Sequence, residues 1–424
     1  MGRQVTGIIF LLFAALAISG CNGGRETDEV AYVIGIGIDR ADDGQLNITY
    51  QIAIPKALSP GGGGDNGAGG SGSKAVTTLT IRTNNIAEAR NILTTLIARV
   101  PNLSHNKAFF IGEELARQGV ADIFGPLVRY REYRGSMFIA VVHDGTAEKY
   151  LKQLNPKIEL LPSKFIETML LTNNETGYYV RSDLQEFYGR LKSSSGSPYA
   201  ALVATNLMNG ENHPSGEKLP GEKVAEYLAG DIPAYDSVTA SQFAGTALFR
   251  QDKMVGTLTT EETRMLLILQ GNFPHGFIII ADPNLPTEAI NVNLRLGEKP
   301  TTNLSFVDGH PVIAVSVLLE GEITAIPSGI NYEQQEYRQQ LEARLSALIQ
   351  AQIEKMLNKT QALDSDVVGF GYQARAAFPT YQAWEDQNWD ELYATAQFEI
   401  KVTTKLRRTG LMWKSVPIGG RGGK

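Results

Sequence analysis

Ala31-Tyr-Val-Ile-Gly-Ile-Gly-Ile-Asp39 is followed, across Asp42-Asp43-Gly44, by Leu46-Asn-Ile-Thr-Tyr-Gln-Ile-Ala-Ile54. Both runs are rich in β-branched and aromatic residues, and the glycine between them can take the positive φ of a tight turn. They read as a β-hairpin. Working outward, a strand is expected at Val76 to Arg82. Asn84 or Asn85 can then cap a helix in which Ile86, Ala89, Leu93, Leu96 and Ile97 recur at helical spacing, ending near Pro101. Ala108 to Gly112 reads as a strand, Glu113 to Tyr133 as helical and Met137 to Val142 as another strand. This order predicts an α+β fold, with mixed sheets packed against helices.

The chain has 424 residues, enough for two or three cores. Turn-rich stretches at Ser193 to Ser197 and Asn209 to Gly221 place a first boundary. The expected division is an N-terminal α+β domain at 21–200, a middle domain at 201–286, a C-terminal α+β domain at 287–413 and a loose tail at 414–424. Inside the first domain, 59–73 is so rich in glycine that it reads as a mobile loop. In the last third, strands are expected at Ile290 to Leu296 and Val312 to Ile323. Glu333 to Asn358 follows as a long amphipathic helix, with Tyr337, Leu341, Leu345, Leu348, Ile349, Ile353 and Met356 on one stripe. Trp384 and Trp389 bracket a short polar connection, and Ala394 to Arg408 alternates as a half-buried strand.

The N-terminus decides where the chain works. Arg3 and the apolar run Val5 to Ile18 form an export signal, shorter than the roughly 20 residues that cross a bilayer. Leu16-Ala-Ile-Ser-Gly-Cys21 resembles a bacterial lipobox, whose thiol is alkylated by a diacylglyceryl group before cleavage. Residues 1–20 then read as a lipoprotein signal peptide and Cys21 as the lipidation site. Two or more acyl chains, at about 0.8 kcal/mol per buried CH2, attach a protein stably where one chain is marginal. Asn22 to Glu29 would tether fold to lipid. Cys21 is the only cysteine, so no disulfide supports the fold. A net charge of −6 argues against nucleic acid as a partner.

Motifs for chemistry are incomplete. Gly35-Ile-Gly-Ile-Asp-Arg40 begins like a dinucleotide fingerprint, but Arg40 replaces the third glycine and a turn follows. Gly70-Ser-Gly-Ser-Lys-Ala75 lacks the Lys-Ser/Thr ending of a phosphate loop. Asp39, Asp43 and Gly44 have calcium-loop spacing, yet Ala41 and Tyr50 stand where oxygen ligands are needed. His105, His143, His213, His275 and His310 are scattered without the i, i+4 pairing of a metal helix, and Ser104-His105 are sequence neighbours without a nucleophile elbow. Arg129, Arg131 and Arg134 form a basic cluster, read chiefly as salt-bridge partners and secondarily as an anion site. No stretch alone presents the convergent groups of a small-molecule pocket. No cofactor, metal or small-molecule ligand is expected.

The lipobox cysteine is followed by Val33 to Asp39, and then by Ser104-His105 with Ile111-Gly-Glu-Glu-Leu-Ala116 and Arg129 to Arg134. Gly245 to Phe249, Asp252-Lys253, Val255-Gly256 and Glu261-Glu262-Thr263 come next. Gln361, Asp364 to Gly371, Trp384, Trp389 and Arg408-Thr-Gly410 close the series. Taken in this order, these residues resemble the Ger(x)C lipoproteins, the C subunits of nutrient germinant receptors in endospore-forming bacteria. Asn22-Gly23, the long glycine-rich loop and Thr257 depart from the pattern. The resemblance implies about three mixed α/β domains and a lipid anchor on the outer face of the spore inner membrane or cell membrane. It implies two integral-membrane partners, the A and B subunits, and no catalytic residues. A solute-binding lipoprotein of a transporter is the alternative, and a secreted hydrolase comes third.

Overall fold

The computed structural model describes residues 29–54, 76–154, 162–205, 226–233 and 241–408, with a few isolated positions besides. Cys21, the 59–73 loop, the Asn209 to Gly221 stretch and the 414–424 tail lie outside the described residues.

The hairpin is there: β1 (Val30–Arg40) pairs antiparallel with β2 (Leu46–Ala53), and Gly44 turns between them at φ 83°. β3 (Val76–Thr83) extends it, and Asn85 caps α1 (Ile86–Leu96) by accepting the Glu88 N–H. β4 (Val100–Asn102) pairs with the start of β1. β5 (Ala108–Gly112), β6 (Phe138–Val142) and β7 (Tyr199–Thr205) run parallel to β1, and β8 (Ser241–Arg250) and β9 (Lys253–Leu258) close the far edge. The order is β3-β2-β1-β5-β6-β7-β8-β9.

β5 and β6 are buried at every position, as parallel strands covered on both faces must be. Phe109, Ile111, Ile139 and Val141 face α1, α2 (Glu113–Gln118), α3 (Ala121–Arg129) and α6 (Leu184–Leu191). Ala108, Phe110, Phe138 and Ala140 face α4 (Ala147–Gln153) and α5 (Pro162–Leu171). α4 packs close because Gly37 has no side chain: a Cβ there would lie 3.0 Å from Ala147 Cβ. The expected helical run Glu113 to Tyr133 is two helices, broken where Gly119 takes φ 131°. A side chain at Gly119 would meet Asp252 Oδ2 at 2.6 Å, and the next amide, Val120, donates to Asp252 O.

The second sheet holds β10 (Gly276–Ala281), β11 (Ala289–Leu296), β12 (Thr301–Val307), β13 (His310–Ala325) and β14 (Gln397–Arg408). The long β13 pairs with β12 along its first half and β11 along its second, with β14 parallel on its other side. α8 (Gln335–Ala362) is the expected amphipathic helix; Leu341, Leu345, Ile349, Ile353 and Met356 are fully buried against the sheet. Between the two sheets lies α7 (Thr260–Leu269), buried at every residue. The expected boundary at 200 falls inside β7, and that at 286 falls between the paired strands β10 and β11. Residues 201–286 thus supply strands to both sheets. Among the described residues no helix is long and apolar enough to cross a membrane.

Candidate functional site

Open α/β sheets bind ligands beyond the carboxyl ends of their parallel strands. Here that edge carries Asp39 at the end of β1, Glu113 just after β5 and His143 just after β6. Asp39 is 4% exposed, and its carboxylate accepts the N–H of Ala147 at 2.7 Å and of Glu148 at 2.9 Å. It thereby covers the first turn of α4, beside Thr146, which accepts from Lys149 N. Burial outweighs these bonds and pushes the Asp39 pKa up to about 6. Gly112 leaves room for the carboxylate: a Cβ there would stand 2.2 Å from Asp39 Oδ1.

Glu113 Oε2 lies 2.8 Å from His143 Nδ1 and accepts Asp144 N at 3.0 Å, while Oε1 accepts Arg117 Nη2 at 2.6 Å. The histidine hydrogen bond, against some burial, pulls the Glu113 pKa down to about 2, and the same bond raises that of His143. One ligand atom each from Glu113, His143 and Asp144 lies within 4.8 Å of the others. A cation there would compete with Arg117 for a carboxylate whose oxygens are both engaged. Among the described residues no hydroxyl or thiol hydrogen-bonds to His143.

The other sequence candidates also take structural places. Gly35 and Gly37 are inside β1. Asp43 accepts Gln45 N and faces Arg82 at 3.5 Å rather than converging with Asp39. Ser104 donates to Asn102, and His105 packs edge-on to Tyr32. The expected salt bridges of Arg129, Arg131 and Arg134 do not form among the described residues. All three are exposed, and the loop's carboxylate, Glu132, takes Arg90 at 3.2 Å instead. Gly70 to Ala75 lies outside the described residues, which resume at Val76.

A second concentration of polar groups joins the two sheets. Buried Asp366 accepts Gly369 N, Gly371 N and the Trp389 indole N–H, all within 2.9 Å, and burial raises its pKa. Its backbone carbonyl accepts Ser197 N, and Ser365 Oγ donates to Phe249 O on β8. Arg190 reaches Ser197 O and Val367 O while lying over the Tyr199 ring. The Trp384 ring lies tilted, 5.5 Å from that of Trp389, and its indole N–H donates to Ser194 Oγ. Both tryptophans therefore sit on packed helices, α10 (Tyr381–Glu385) and α11 (Trp389–Ala394) once α9 (Gly371–Ala374) is counted. On α7, Glu262 closes a capping box with Thr259 and pairs with Lys359 of α8 at 2.7 Å. Buried Arg264 pairs with Glu261 and donates to Thr176 O and Phe277 O. A cleft of about 340 Å³ opens beside Ser194, Trp384, Trp389 and Asp390.

Most of the quoted blocks meet at these two places: Val33 to Asp39 and Glu113 at the strand ends, and Gly245 to Phe249, Glu261-Glu262, Gln361 and Asp364 to Gly371 at the joint. Two family models cover them, "Spore germination protein N-terminal domain" at residues 23–205 and "Spore germination B3/ GerAC like, C-terminal" at 244–410. The chain belongs to the Ger(x)C family of spore germination proteins. It is 25% identical to spore germination protein KC of Bacillus subtilis (strain 168), over 97% of each chain. It is 23% identical to spore germination protein B3 of the same organism, over 95% of this chain and 98% of the relative. The crystal structure of the GerBC protein aligns at a TM-score of 0.49 and 18% identity, covering 88% of this chain and 97% of that one. In this Ger(x)C chain the two matched regions share one sheet, since β8 and β9 fall in the C-terminal match yet complete the N-terminal sheet.

At the amino ends of β5 and β6 the structure gathers residues that the sequence reading left apart. Asn106, Lys107, Arg134, Glu167 and Arg181 line a cavity of about 190 Å³, together with Ser104 and His105. They come from four separate segments, so no linear motif announces them.

Proposed function

We propose that this chain is the lipid-anchored, non-enzymatic C subunit of a nutrient germinant receptor. In this reading diacylglyceryl-Cys21 holds it on the outer face of the membrane, and the A and B integral-membrane subunits assemble with it. The observation that carries the reading is the relation to spore germination proteins over nearly the full length of both chains. The lipobox order Leu16-Ala-Ile-Ser-Gly-Cys21 supports the anchor. The non-catalytic part is supported by Asp39, Glu113 and Asp366, whose oxygens are engaged in capping and bracing rather than aimed at open space.

The test has two arms. Affinity capture of the tagged chain from detergent-solubilised spore membranes recovers two multi-span proteins in the expected outcome. Recovery of neither sinks the receptor assignment. Growth with tritiated palmitate labels the wild-type chain and leaves Cys21→Ala unlabelled; label persisting in the variant removes Cys21 as the anchor.

A further inference from the structure

We propose that the cavity at the amino ends of β5 and β6 is an oxyanion-binding site, taking a carboxylate or phosphate carried by a small molecule. This goes beyond the receptor assignment and does not depend on the anchor. The charge of the wall is the first argument. Lys107, Arg134 and Arg181 contribute three cations against the single carboxylate of Glu167, which Lys107 already pairs at 3.0 Å. Among the described residues, the side chains of Arg134 and Arg181 make no ion pair and no hydrogen bond. Arg181 rests its guanidinium 5.3 Å over the ring of Phe138, an arrangement that fixes the group while leaving its N–H edge free. A planar guanidinium with a free edge is built for bidentate contact with carboxylate or phosphate.

The second argument is an unpaid polar atom. Asn106 is 3% exposed, lines the cavity, and its Oδ1 has no hydrogen-bond partner; its Nδ2 has only the weak acceptor Met137 Sδ at 3.4 Å. Leaving a buried amide group bare is unfavourable, and protein interiors seldom do so without a reason. A ligand hydroxyl or protonated acid oxygen donating to Oδ1, or an anion accepting from Nδ2 with the amide turned over, satisfies it. The cavity of about 190 Å³ holds roughly six waters at about 30 Å³ each, hence a small organic acid or a phosphate monoester rather than a nucleotide. Its placement explains two sequence blocks that the joint leaves unused: Ser104-His105 and Arg134 come from separate loops and meet only here.

The experiment is calorimetric titration of the full-length chain in nonionic detergent with inorganic phosphate, acetate and glycerol 3-phosphate. The last carries lipid-headgroup chemistry without acyl chains. Saturable one-site binding of at least one probe is expected, and Arg134→Gln and Arg181→Gln each weaken it about tenfold. Arg129→Gln and Arg131→Gln, which change surface charges outside the cavity, leave it unchanged. Tightest binding of glycerol 3-phosphate assigns a phosphoester ligand, and tightest binding of acetate a carboxylate. No saturable binding of any probe overturns the proposal. So does an equal loss in the Arg129 and Arg131 variants, because that describes diffuse charge attraction. Arg134 and Arg181 are both exposed, so their replacement leaves the fold intact, and a thermal melt of each variant verifies this before titration.

Discussion

The two ends of β5 and β6 treat polar groups in opposite ways. At the carboxyl ends, Asp39, Glu113, His143 and Arg117 satisfy one another and the first turn of α4. At the amino ends, two guanidinium groups without an ion pair and a buried amide whose Oδ1 has no partner line a cavity. The usual ligand edge of a parallel sheet has been converted into bracing, and the unspent hydrogen-bonding capacity sits at the opposite edge. The lesson is that buried and charged residues must be sorted by whether they are paired. Asp39, with its raised pKa, is the residue an active-site search would choose first, yet both its oxygens are engaged within the protein.

The largest way to break the braced end is Gly112→Ala. The new methyl would stand 2.2 Å from Asp39 Oδ1 and drive the carboxylate off the Ala147 and Glu148 amides. Overpacking of this kind costs about 1–3 kcal/mol, and unpaired buried donors add to it. Chemical denaturation is expected to show a loss of about 3 kcal/mol. Asp39→Ala should lose about 2 kcal/mol, and the double variant less than the sum, since both act on one contact. Strict additivity would show that Gly112 matters for a reason other than Asp39.

Protonation probes the same end with its sign fixed by each shift. The pKa of Asp39 rises on folding, so the folded chain binds more protons between pH 4 and 6, and stability falls as pH climbs through that window. The rise from 3.8 to about 6 corresponds to at most about 3 kcal/mol, and Asp39→Asn should flatten that part of the curve. Glu113 works the other way: its contribution is present above about pH 4.5 and lost as pH falls toward about 2. His143, raised above 6.5, stabilises below 6.5 and loses that contribution as pH rises through its folded value; His143→Gln should abolish that decline. A stability curve of His143→Gln that still falls above pH 6.5 would remove the histidine as its cause.

What could be read from the sequence follows from range of contact. The β1–β2 hairpin, the Asn85 cap, β5, β6 and α8 declare themselves through local periodicity and turn residues, and the structure has them where expected. α7 carries no polar stripe, since its polar residues gather at its start and Met265 to Leu269 follow, but Thr259 and Glu262 spell a capping box ahead of that apolar run, a local signal that could have marked its first turn. The mixed α+β class was legible, whereas the sharing of one sheet by two matched regions was not. β8 is added to β7 only after a long, turn-rich intervening stretch that reads as a boundary. At the sites the limit is sharper. Asp39 meets its amides 108 positions away, and Arg181 reaches the cavity from far beyond Lys107, so spacing rules had nothing to act on.

The smallest effect is the one that sharpens the comparison most. If the amino-end arginines are held for a ligand, removing them should cost the empty fold almost nothing. Arg134→Gln with Arg181→Gln is expected to shift stability by no more than about 0.5 kcal/mol, as surface substitutions do. The direction should be slightly favourable, because each arginine lies near the Lys107 ammonium without a carboxylate of its own, and dilution of like charge relieves repulsion. Raising the salt concentration should shrink even that gain, since these groups are solvent-exposed and screened over about 10 Å at 0.1 M. A loss above about 1 kcal/mol would mean that the guanidinium groups brace this end as Glu113 and Asp39 brace the other. The two edges would then be alike, and the cavity a by-product of packing. A null effect on stability beside a tenfold effect on anion affinity separates holding a fold from holding a ligand, which geometry alone leaves entangled wherever charged residues line a cavity.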